Sequence, residues 1–497
     1  MNSRLIRWIL IGWGIGLAAA GIVAWYGMHS GLPGGMSVSG WNVGGMRTDE
    51  FEKGLADRVA QLARMPVAMT APMPGGGTET RTATLGTLGL QTNADQLRAE
   101  IGRFAEGSVW ERAWRRWQWH GRSWELRVAF DAKALSAAAQ QTWPELYASR
   151  PVNAVRSITE QDEVRYSPER KALRLDEKGL TSTIWTAVLG EGGAAAAKAG
   201  RAAHPYALKP DGPLQSKTPL KLTVPTYELQ PEVTVAMLKE QGVERLISSF
   251  TTSFATSGSG RRHNVAKTAS VVHNRLLKPG DVFDYAKIIE ETESKFGFRE
   301  APVILNGKLC PGVGGGICQV STTLYNAVLR AGLEIVERRN HSLPVSYAPI
   351  GQDATFASGY INFKFRNNTE KYILIRTSTE NGKLTVKLFG SMPPGVAYEI
   401  KSVKLEELDP PTKYVKNPHL RKGSVELLQR GKPGYVVVTH RYKKVNGKVV
   451  DKELISKDTY KPLPTLYASN SGDASDREQE RHRGDPIVED GVKAPAD

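Results

Sequence analysis

The sequence predicts a multidomain α+β protein with a single transmembrane helix at its N-terminus. Three observations indicate this class: the length of 497 residues, an uncharged apolar run near the N-terminus, and segments that mix helical and strand patterns. A chain of this length exceeds what one hydrophobic core usually serves, so three or four domains are expected.

The apolar run Trp8–Tyr26 holds 19 uncharged residues, just enough for a helix to cross a membrane. Arg4 and Arg7 precede it, which favours a cytoplasmic N-terminus and an extracellular remainder. A cleaved signal peptide is the alternative, but no small-x-small cleavage motif follows. Trp25 and Tyr26 suit a membrane interface instead. We therefore expect a single-pass protein of the cell membrane.

The formal net charge is +15, so the chain should attract anionic partners. An exported chain meets little nucleic acid, and no basic motif interleaved with aromatic residues is present. Anionic wall polymers and lipid headgroups are therefore the expected partners. The nearest approach to a nucleic-acid motif, residues 112–117, is interpreted as a helix surface with buried tryptophans.

After the anchor and a Gly/Pro/Ser-rich linker (residues 1–36), residues 37–228 are predicted to mix helices and strands. The predicted helices are Thr48–Ala63, Ala94–Phe104, Ala132–Thr142 and the Ala-rich Gly192–Arg201, and the predicted strands include Val67–Ala71 and Glu125–Phe130. This region is taken as one domain.

A second domain is predicted over residues 233–392 and a small β module over residues 400–468. The second domain should contain helices Val235–Ser248, Val265–Leu276 and Val320–Leu333, and strands Glu334–Arg338, Tyr360–Phe365, Tyr372–Arg376 and Leu384–Leu388. Asn381-Gly382 and Asn446-Gly447 predict hairpin turns. Residues 469–497 are charged and almost without aromatic residues, so this tail is predicted to be disordered.

The run Gly-Gly-Gly-Ile-Cys at Gly314–Cys318 is the most specific chemical signal. Successive glycines let several N–H groups point at an anion, and a helix N-terminus stabilises a thiolate. Only one other cysteine, Cys310, occurs. A disulfide across the Pro311–Gly316 loop is therefore an alternative to a nucleophilic Cys318, and the residues alone leave both open.

The stretch Thr251–Gly390 resembles the VanW family, which is associated with glycopeptide resistance. The match covers roughly a quarter of the chain and consists of several motifs in order: Arg262-His263-Asn264, Asn274, Lys278–Phe283, Gly315–Asn326, Glu337-Arg338, His341-Ser342, Pro344-Val345, Tyr347, Gly351 and Asp353–Thr355. Residues 38–225 resemble the peptidoglycan-binding domain often joined to this family. Residues 400–468 resemble the glycine-named β module of exported wall proteins.

The resemblance implies a bacterial cell-wall protein, in a Gram-positive organism, that binds peptidoglycan stem peptides and, through the β module, N-acetylglucosamine. Members of the family have been proposed as L,D-transpeptidases that use the motif cysteine. Carried over, that residue is Cys318. A second interpretation is a non-catalytic peptidoglycan-binding or adhesion protein, in which Gly314–Cys318 is a structural turn.

Cysteine catalysis needs a base, a group that orients it, and donors for an oxyanion. His341 is the preferred base, with His263 second, and Asp353 or Glu337 would orient the imidazole; a surface ion pair is an equal interpretation of Glu337. The expected oxyanion and substrate-binding residues are Gly315, Gly316, Ile317, Arg262, Asn264 and Arg338, with Arg261 as a further cation for stem-peptide carboxylates. For each of the three arginines, a solvated surface position is the alternative, and taken singly the favoured one.

Neither a metal nor an organic cofactor is expected. The sequence contains no His-x-x-His or Cys-x-x-Cys spacing, and two cysteines with scattered histidines make a poor zinc site. The glycine run lacks the Lys-Ser/Thr ending of a phosphate-binding loop. The third catalytic residue, the cross-link type and the oligomeric state are not determined by the sequence.

Overall fold

A computed structural model describes residues 3–189, 206–207, 218–305, 308–470 and 488–492. The chain forms two compact units. The first contains residues 1–153 and 169–232, and the second contains residues 154–168 and 233–497. The mixed α+β composition is confirmed by helices and strands in both units. The predicted helix Gly192–Arg201 lies outside the described residues.

The first helix of the first unit, α1, spans Ser3–Met28, and Ile6–Met28 is long and apolar enough to cross a membrane. It extends the predicted run at both ends. The other helices are α2 (Thr48–Ala63), α3 (Ala94–Gly102), α4 (Val109–Trp119), α5 (Ala132–Thr142), α6 (Pro144–Ala148) and α7 (Glu177–Leu189). The predicted bounds of α2 and α5 are correct.

Short strands complete the first unit, arranged as small sheets in the orders β2-β1-β6, β11-β7-β5, β12-β3-β4 and β10-β13. Their bounds are β1 Ser37–Val38, β2 Trp41–Asn42, β3 Pro66–Pro72, β4 Thr78–Thr84, β5 Leu90–Thr92, β6 Ser123–Trp124, β7 Arg127–Phe130, β10 Ala172–Leu175, β11 Tyr206–Ala207, β12 Leu220–Thr223 and β13 Thr226–Leu229. One core packs between them, with Phe51, Trp143 and Trp185 fully buried.

The predicted burial of Trp114 and Trp117, on helix α4, is wrong. Trp110, Trp114 and Trp117 are 53%, 59% and 66% exposed, while Ala113, Arg116 and Trp119 are buried. The buried positions follow a spacing of three, so the helix packs one face inward and leaves three indole rings on another.

The second unit begins with the hairpin β8 (Val155–Ile158) and β9 (Val164–Ser167). Its helices are α8 (Val235–Glu240), α9 (Ser259–Val272), α10 (Tyr285–Phe296) and α11 (Ile317–Arg330), and its strands up to residue 390 are β14 Arg245–Ser253, β15 Arg275–Leu277, β16 Val282–Asp284, β17 Glu300–Leu305, β18 Lys308–Val313, β19 Glu334–Glu337, β20 Lys364–Arg366, β21 Ile373–Glu380 and β22 Lys383–Gly390.

An antiparallel sheet in the order β14-β22-β21-β15 supports this unit, and α11 packs on it. Asn381 and Gly382 have φ of 51° and 69°, so the β21–β22 hairpin turns where the sequence predicts. The predicted helix Val235–Ser248 is wrong beyond Glu240, because Arg245–Ser253 pairs with β22 instead. The predicted Pro311–Gly316 loop is also partly wrong, since β18 continues to Val313.

The C-terminal β region has two three-stranded sheets, in the orders β23-β26-β27 and β24-β28-β25. The strands are β23 Val396–Leu408, β24 Thr412–Lys416, β25 Val425–Gln429, β26 Gly434–Val445, β27 Lys448–Tyr460 and β28 Thr465–Ser469. The predicted disorder from Ser469 onward does not hold throughout. Val488–Glu489 forms strand β29, which pairs with β17.

Candidate functional site

Three glycines, Gly314–Gly316, connect the end of strand β18 to the start of α11. Gly315 lies so close to β17 that an added Cβ would come within 2.3 Å of the Pro302 carbonyl oxygen. Gly316 has φ of +109°, a conformation that favours glycine. The Asn264 side chain fixes this turn, because its amide donates to the Gly315 carbonyl oxygen at 3.0 Å. The glycines therefore place Cys318 in the first turn of α11.

Cys318 is fully buried, and its Sγ lies between two backbone groups of one residue. The Phe356 N–H donates to Sγ at 3.0 Å, and Sγ lies 3.4 Å from the Phe356 carbonyl oxygen. Burial raises the pKa of the Cys318 thiol well above its usual range, and the nearby Asp490 carboxylate raises it further. In this state the thiol is protonated at neutral pH, whereas the sequence predicts a stabilised thiolate.

His341 is also fully buried and is held by Asp353. The Asp353 carboxylate accepts from the His341 backbone N–H and from Nδ1, each at 2.7 Å. Nε2 has no hydrogen-bond partner among the described residues. Burial alone would lower the pKa of His341, but the hydrogen bond and charge of Asp353 outweigh it and raise the pKa. The free ring nitrogen is the one that could accept a proton.

The Asp353 carboxylate binds Tyr460 and Arg338 as well as His341. Its pKa is lowered to about 2, because the hydrogen bond and charge of His341 and the Arg338 guanidinium outweigh the cost of burial. Tyr460, on β27, donates its hydroxyl to Oδ1. Arg338 also pairs with Asp458 at 2.5 Å. Strand β27 thus contributes two side chains to the surroundings of Asp353.

Three predicted substrate-binding residues have other partners. The Arg338 side chain is 5% exposed and is occupied by Asp353 and Asp458, so it does not face a ligand. Arg262 is exposed and donates to the Ala255 carbonyl oxygen. Asn264 is buried and binds backbone groups of Arg299 as well as Gly315. Their contacts are those of structural residues.

Two backbone N–H groups point at one carboxylate oxygen. The N–H groups of Gly316 and Cys318 donate to Asp490 Oδ1 at 3.1 and 2.8 Å. The sequence names Gly315, Gly316 and Ile317, but the Ile317 N–H donates to the Gly314 carbonyl oxygen at 3.3 Å. The donor pair is therefore the residues on either side of Ile317. Arg261 pairs with the second carboxylate oxygen at 2.9 Å.

Asp490 and its neighbour Glu489 bind groups beside Cys318 and beside His341. Asp490 accepts from the Gly316 and Cys318 N–H groups, and Glu489 accepts from the N–H of Ser342, which follows His341. Beyond the effect of burial, the charge of Asp490 also raises the pKa of the Cys318 thiol, of His341 and of the buried Tyr347. We call this set of residues the cluster. The Tyr285 hydroxyl donates to the Ile317 carbonyl oxygen at 2.6 Å and closes the cluster beside the helix start.

The remaining candidates, His263, Glu337 and Cys310, have partners outside the cluster. His263 Nε2 is 3.4 Å from the Gly297 carbonyl oxygen. Glu337 forms a surface ion pair with Lys364 at 3.1 Å. The sequence suggests such a pair with Arg338 or Arg339 instead. Cys310 is on β18 opposite Val303, and both cysteines are free thiols.

Sequence reasoning missed Asp490, Glu489, Tyr460 and the Phe356 backbone. Asp490 lies in a charged C-terminal stretch whose composition predicts disorder, and nothing local marks it as a ligand. Tyr460 belongs to the β module. It lies well over a hundred residues after Cys318 in the sequence. Within the described residues, no group of three or more His, Cys, Asp or Glu side chains is arranged to hold a metal ion.

Parts of this chain match known protein families. Residues 260–389 match the family described as VanW like protein. We refer to this segment as the VanW domain. Residues 399–465 match the G5 domain, and we refer to the C-terminal β region as the G5 domain.

Two curated proteins resemble this chain. The chain is 38% identical over 173 residues to the uncharacterized protein YoaR of Bacillus subtilis (strain 168), covering 35% of this chain and 57% of that protein. It is 28% identical over 148 residues to the vancomycin B-type resistance protein VanW of Enterococcus faecalis (strain ATCC 700802 / V583), covering 29% of this chain and 54% of that protein. The chain thus spans little more than half the length of either.

A solved G5 domain of an IgA1 protease also matches, with 26% identity over 17% of this chain and 96% of that one. The TM-score is 0.13, so this likeness carries no argument about the whole fold. The G5 assignment rests on the family match over residues 399–465.

Proposed function

We propose that this chain is an extracellular protein of the bacterial cell wall, anchored by α1, that binds peptidoglycan and remodels it as a cysteine-dependent L,D-transpeptidase-like enzyme. One observation carries the catalytic part. Two convergent backbone N–H groups, one of them that of the buried Cys318, bind Asp490, and the adjacent Glu489 binds Ser342, which follows a buried histidine oriented by a carboxylate. These are the parts that cysteine acyl transfer requires.

In the proposed reaction, Cys318 Sγ attacks the stem-peptide carbonyl between an L- and a D-residue while His341 Nε2 takes the thiol proton. The C–S bond forms, the C–N bond breaks, and the departing D-residue amine takes the proton from His341. An amine of a second stem then attacks the thioester through the same base. The new amide forms, the C–S bond breaks, and the thiol regains a proton.

The N–H groups of Gly316 and Cys318 would bind the oxyanion of both tetrahedral intermediates, which is the role that such donor pairs have in acyl transfer. Asp353 would hold the His341 ring so that Nε2 remains the proton-accepting nitrogen, because it binds Nδ1 at 2.7 Å. Arg261 would bind a stem-peptide carboxylate, since its guanidinium already binds one in this state.

The family and domain matches support the location and the partner. A G5 domain suits contact with wall glycans, N-acetylglucosamine among them, and the apolar helix suits a membrane anchor with the remainder outside the cell. The vancomycin-resistance relative is consistent with work at peptidoglycan. The excess of positive charge would add to the attraction of an anionic wall.

The test is muropeptide analysis after the detergent-solubilised full chain is incubated with peptidoglycan that carries tetrapeptide stems. We expect new cross-linked dimers with the wild type and with Cys310→Ser, and none with Cys318→Ser. Cross-linking that persists in Cys318→Ser would reject Cys318 as the nucleophile. Wall binding, measured by co-sedimentation with purified peptidoglycan, should be equal in all three.

A second candidate function is non-catalytic peptidoglycan binding, and the burial of Cys318 favours it. A fully buried thiol with a raised pKa is a poor nucleophile. In that case every variant would sediment with peptidoglycan and none would produce dimers, and moderate salt would weaken the binding without abolishing it.

A further inference from the structure

The C-terminal segment Val488–Val492 occupies the cluster as an added strand. Glu489 pairs in antiparallel register with Ile304 at the edge of β17. Beyond the strand, the Val492 N–H donates to the Val313 carbonyl oxygen at 2.9 Å. Gly491 also forms a bridge with Ala357, so backbone contacts hold the segment on two sides. This is the geometry by which extended peptides bind the edge of a sheet.

The side chains of the segment bind the groups that the proposed reaction needs. Asp490 is buried and uses both carboxylate oxygens, one on the Gly316 and Cys318 N–H groups and the other on Arg261. Glu489 accepts from the backbone N–H and the hydroxyl of Ser342, at 2.9 and 3.0 Å. Ser342 directly follows His341, so both ends of the cluster are bound.

The backbone conformation of Asp490 and the missing side chain of Gly491 allow the segment to pack closely against β17. Asp490 has φ of +57°, which is uncommon for a residue with a side chain. A Cβ on Gly491 would lie 2.5 Å from Val303 Cγ1, so only glycine passes there without displacement. The Asp-Gly pair thus lets the segment turn its carboxylate towards Cys318 while the chain passes β17.

We propose that Val488–Val492 is an internal ligand that inhibits the site, and that the site recognises extended peptides carrying a carboxylate at the position of Asp490. The inhibitory part rests on the proposed function. While the segment is bound, its carboxylate competes with a substrate oxyanion for both N–H donors, and its negative charge opposes ionisation of the adjacent thiol. The wild type is then slowed but not inactive. The peptide-binding part depends only on the contacts.

Thiol reactivity tests the proposal without requiring any enzymatic activity. Iodoacetamide labelling of Cys318 in the full chain is followed by peptide mapping at several pH values. We expect Asp490→Ala to increase the labelling rate about 10-fold near neutral pH, because a negative charge and a bound strand are lost together. Asp451→Ala, at an exposed position of β27, is the matched control and should label as the wild type does.

A peptide added in trans separates recognition from general loosening of the fold. Val-Glu-Asp-Gly-Val should slow Cys318 labelling in the Asp490→Ala variant, and Val-Glu-Asn-Gly-Val should not. Equal labelling of wild type and Asp490→Ala would overturn the proposal. So would faster labelling that neither peptide reverses, because the variant would then simply be unfolded around the cysteine.

The two proposals fail separately in these experiments. Faster labelling with reversal by the acidic peptide, but no muropeptide dimers from Asp490→Ala, would support the internal ligand and reject the transpeptidase. Dimers formed equally by wild type and Asp490→Ala would support the transpeptidase and reject inhibition by the segment.

The exposed tryptophans of α4 carry a second, independent inference. Trp110, Trp114 and Trp117 follow the spacing of one helix face, and the rings of Trp114 and Trp117 lie 5.1 Å apart. Exposed indole rings in such a group are costly in water, yet tryptophan favours the interface between water and lipid.

The start of α4 packs against the end of the apolar helix α1. A Cβ on Gly27 would lie 2.1 Å from the Val109 carbonyl oxygen. Arg116 donates to the carbonyl oxygens of His29 and Gly31, each at 2.5 Å, and lies over the Tyr26 ring. These contacts place α4 where the apolar span ends, which is the level of the lipid headgroups for an anchored chain.

We infer that the tryptophan face of α4 lies in the headgroup region of the membrane that α1 spans. The test compares tryptophan emission of the wild type with W110F/W114F/W117F in lipid vesicles. Brominated lipids should quench the emission lost in the triple variant, and aqueous iodide should not. The buried pair W119F/W124F is the control and should lose emission that responds to neither quencher. Quenching of the three rings by iodide alone would overturn the inference.

Discussion

At the residue scale, the two ring nitrogens of His341 differ: Nδ1 binds Asp353, and Nε2 has no hydrogen-bond partner in the described part of the chain. This asymmetry gives the first prediction. His341→Ala should lower cross-linking about 10²–10⁴-fold, the usual effect of losing a general base. Muropeptide dimers formed per unit time measure it. His263→Ala is the matched control, because the hydrogen bond of that ring goes to the Gly297 carbonyl oxygen and not to the cluster.

Equal losses in the two variants would contradict the assignment of the base to His341. An unchanged rate in His341→Ala alone would do the same. The Asp490→Ala background is the suitable one for this comparison, since the internal ligand would otherwise mask the rate of the chemical step.

Asp353 gives a prediction about acid stability. Its pKa falls from the usual 3.8 to about 2 in the folded state, and each unit corresponds to about 1.4 kcal/mol. A carboxyl with a lowered pKa stabilises the fold above its unfolded pKa and loses that contribution as pH falls through the folded value. The second unit should therefore lose about 2 kcal/mol between pH 4 and pH 2.

Calorimetry combined with tryptophan fluorescence can assign this loss to the second unit. All 11 tryptophans precede residue 233, so their emission reports only on the first unit. A thermal transition that leaves tryptophan emission unchanged belongs to the second unit. Its midpoint should fall less steeply below pH 4 in Asp353→Asn than in the wild type. His341 has the opposite sign: its raised pKa stabilises the fold at low pH, and that contribution is lost as pH rises through the folded value.

At the element scale, the glycine turn before α11 is defined by close packing. Gly315→Ala would place a methyl group 2.3 Å from the Pro302 carbonyl oxygen, so β17 or the turn must shift. We expect a loss of about 1–3 kcal/mol in the unfolding free energy of the second unit, the usual cost of overpacking, together with faster labelling of Cys318. Gly258→Ala is the control in the same unit, because an added Cβ there meets nothing within 4 Å.

Similar stability of Gly315→Ala and Gly258→Ala would contradict the packing argument. The same calorimetric transition reports both variants. A destabilised Gly315→Ala with unchanged Cys318 labelling would instead separate the packing of the turn from the exposure of the thiol.

Which elements the sequence predicts depends on whether local pattern or tertiary contacts decide them. Helix Ala132–Thr142 and the Asn381-Gly382 turn follow from local signals alone. The helix predicted over Val235–Ser248 fails because residues from Arg245 pair with a strand more than a hundred positions away. Pairing partners at that distance leave no trace in the local period.

The same distinction explains the site. The glycines, Cys318, His341 and Asp353 lie within one continuous motif-rich stretch, so residue type and order point to them. The burial of α11 was not predictable from its periodicity: every residue from Ile317 to Leu329 is buried, polar ones included. The Ser321 and Thr322 hydroxyls donate to the Ala354 carbonyl oxygen. Such contacts form only when another segment arrives.

At the scale of the whole molecule, the VanW and G5 matches cover separate stretches of the second unit. Side chains of the two stretches nevertheless bind one another. Strand β27 of the G5 domain supplies Asp458 to Arg338 and Tyr460 to Asp353. The Tyr460 hydroxyl also accepts from the Gly351 N–H at 2.8 Å. The orientation of His341 therefore depends on a residue that the VanW match does not contain.

This dependence predicts that a mutation in the G5 domain should affect the chemistry of the VanW domain. Tyr460→Phe removes one hydroxyl and leaves the Asp353 Oδ1 and the Gly351 N–H without it, a loss of about 1–3 kcal/mol for buried polar groups. We expect slower muropeptide dimer formation, and a pH–rate profile whose acid limb moves to higher pH because a donor to the Asp353 carboxylate is lost.

Tyr414→Phe is the matched control, since Tyr414 is a half-exposed tyrosine of the same domain whose ring stacks on Tyr467. Both variants should bind peptidoglycan as the wild type does, because neither change alters the charge. Equal rates and equal pH profiles for the two variants would show that the G5 domain acts only in wall binding. A displaced acid limb in Tyr460→Phe alone would show that the G5 domain is part of the proton-transfer machinery of the VanW domain.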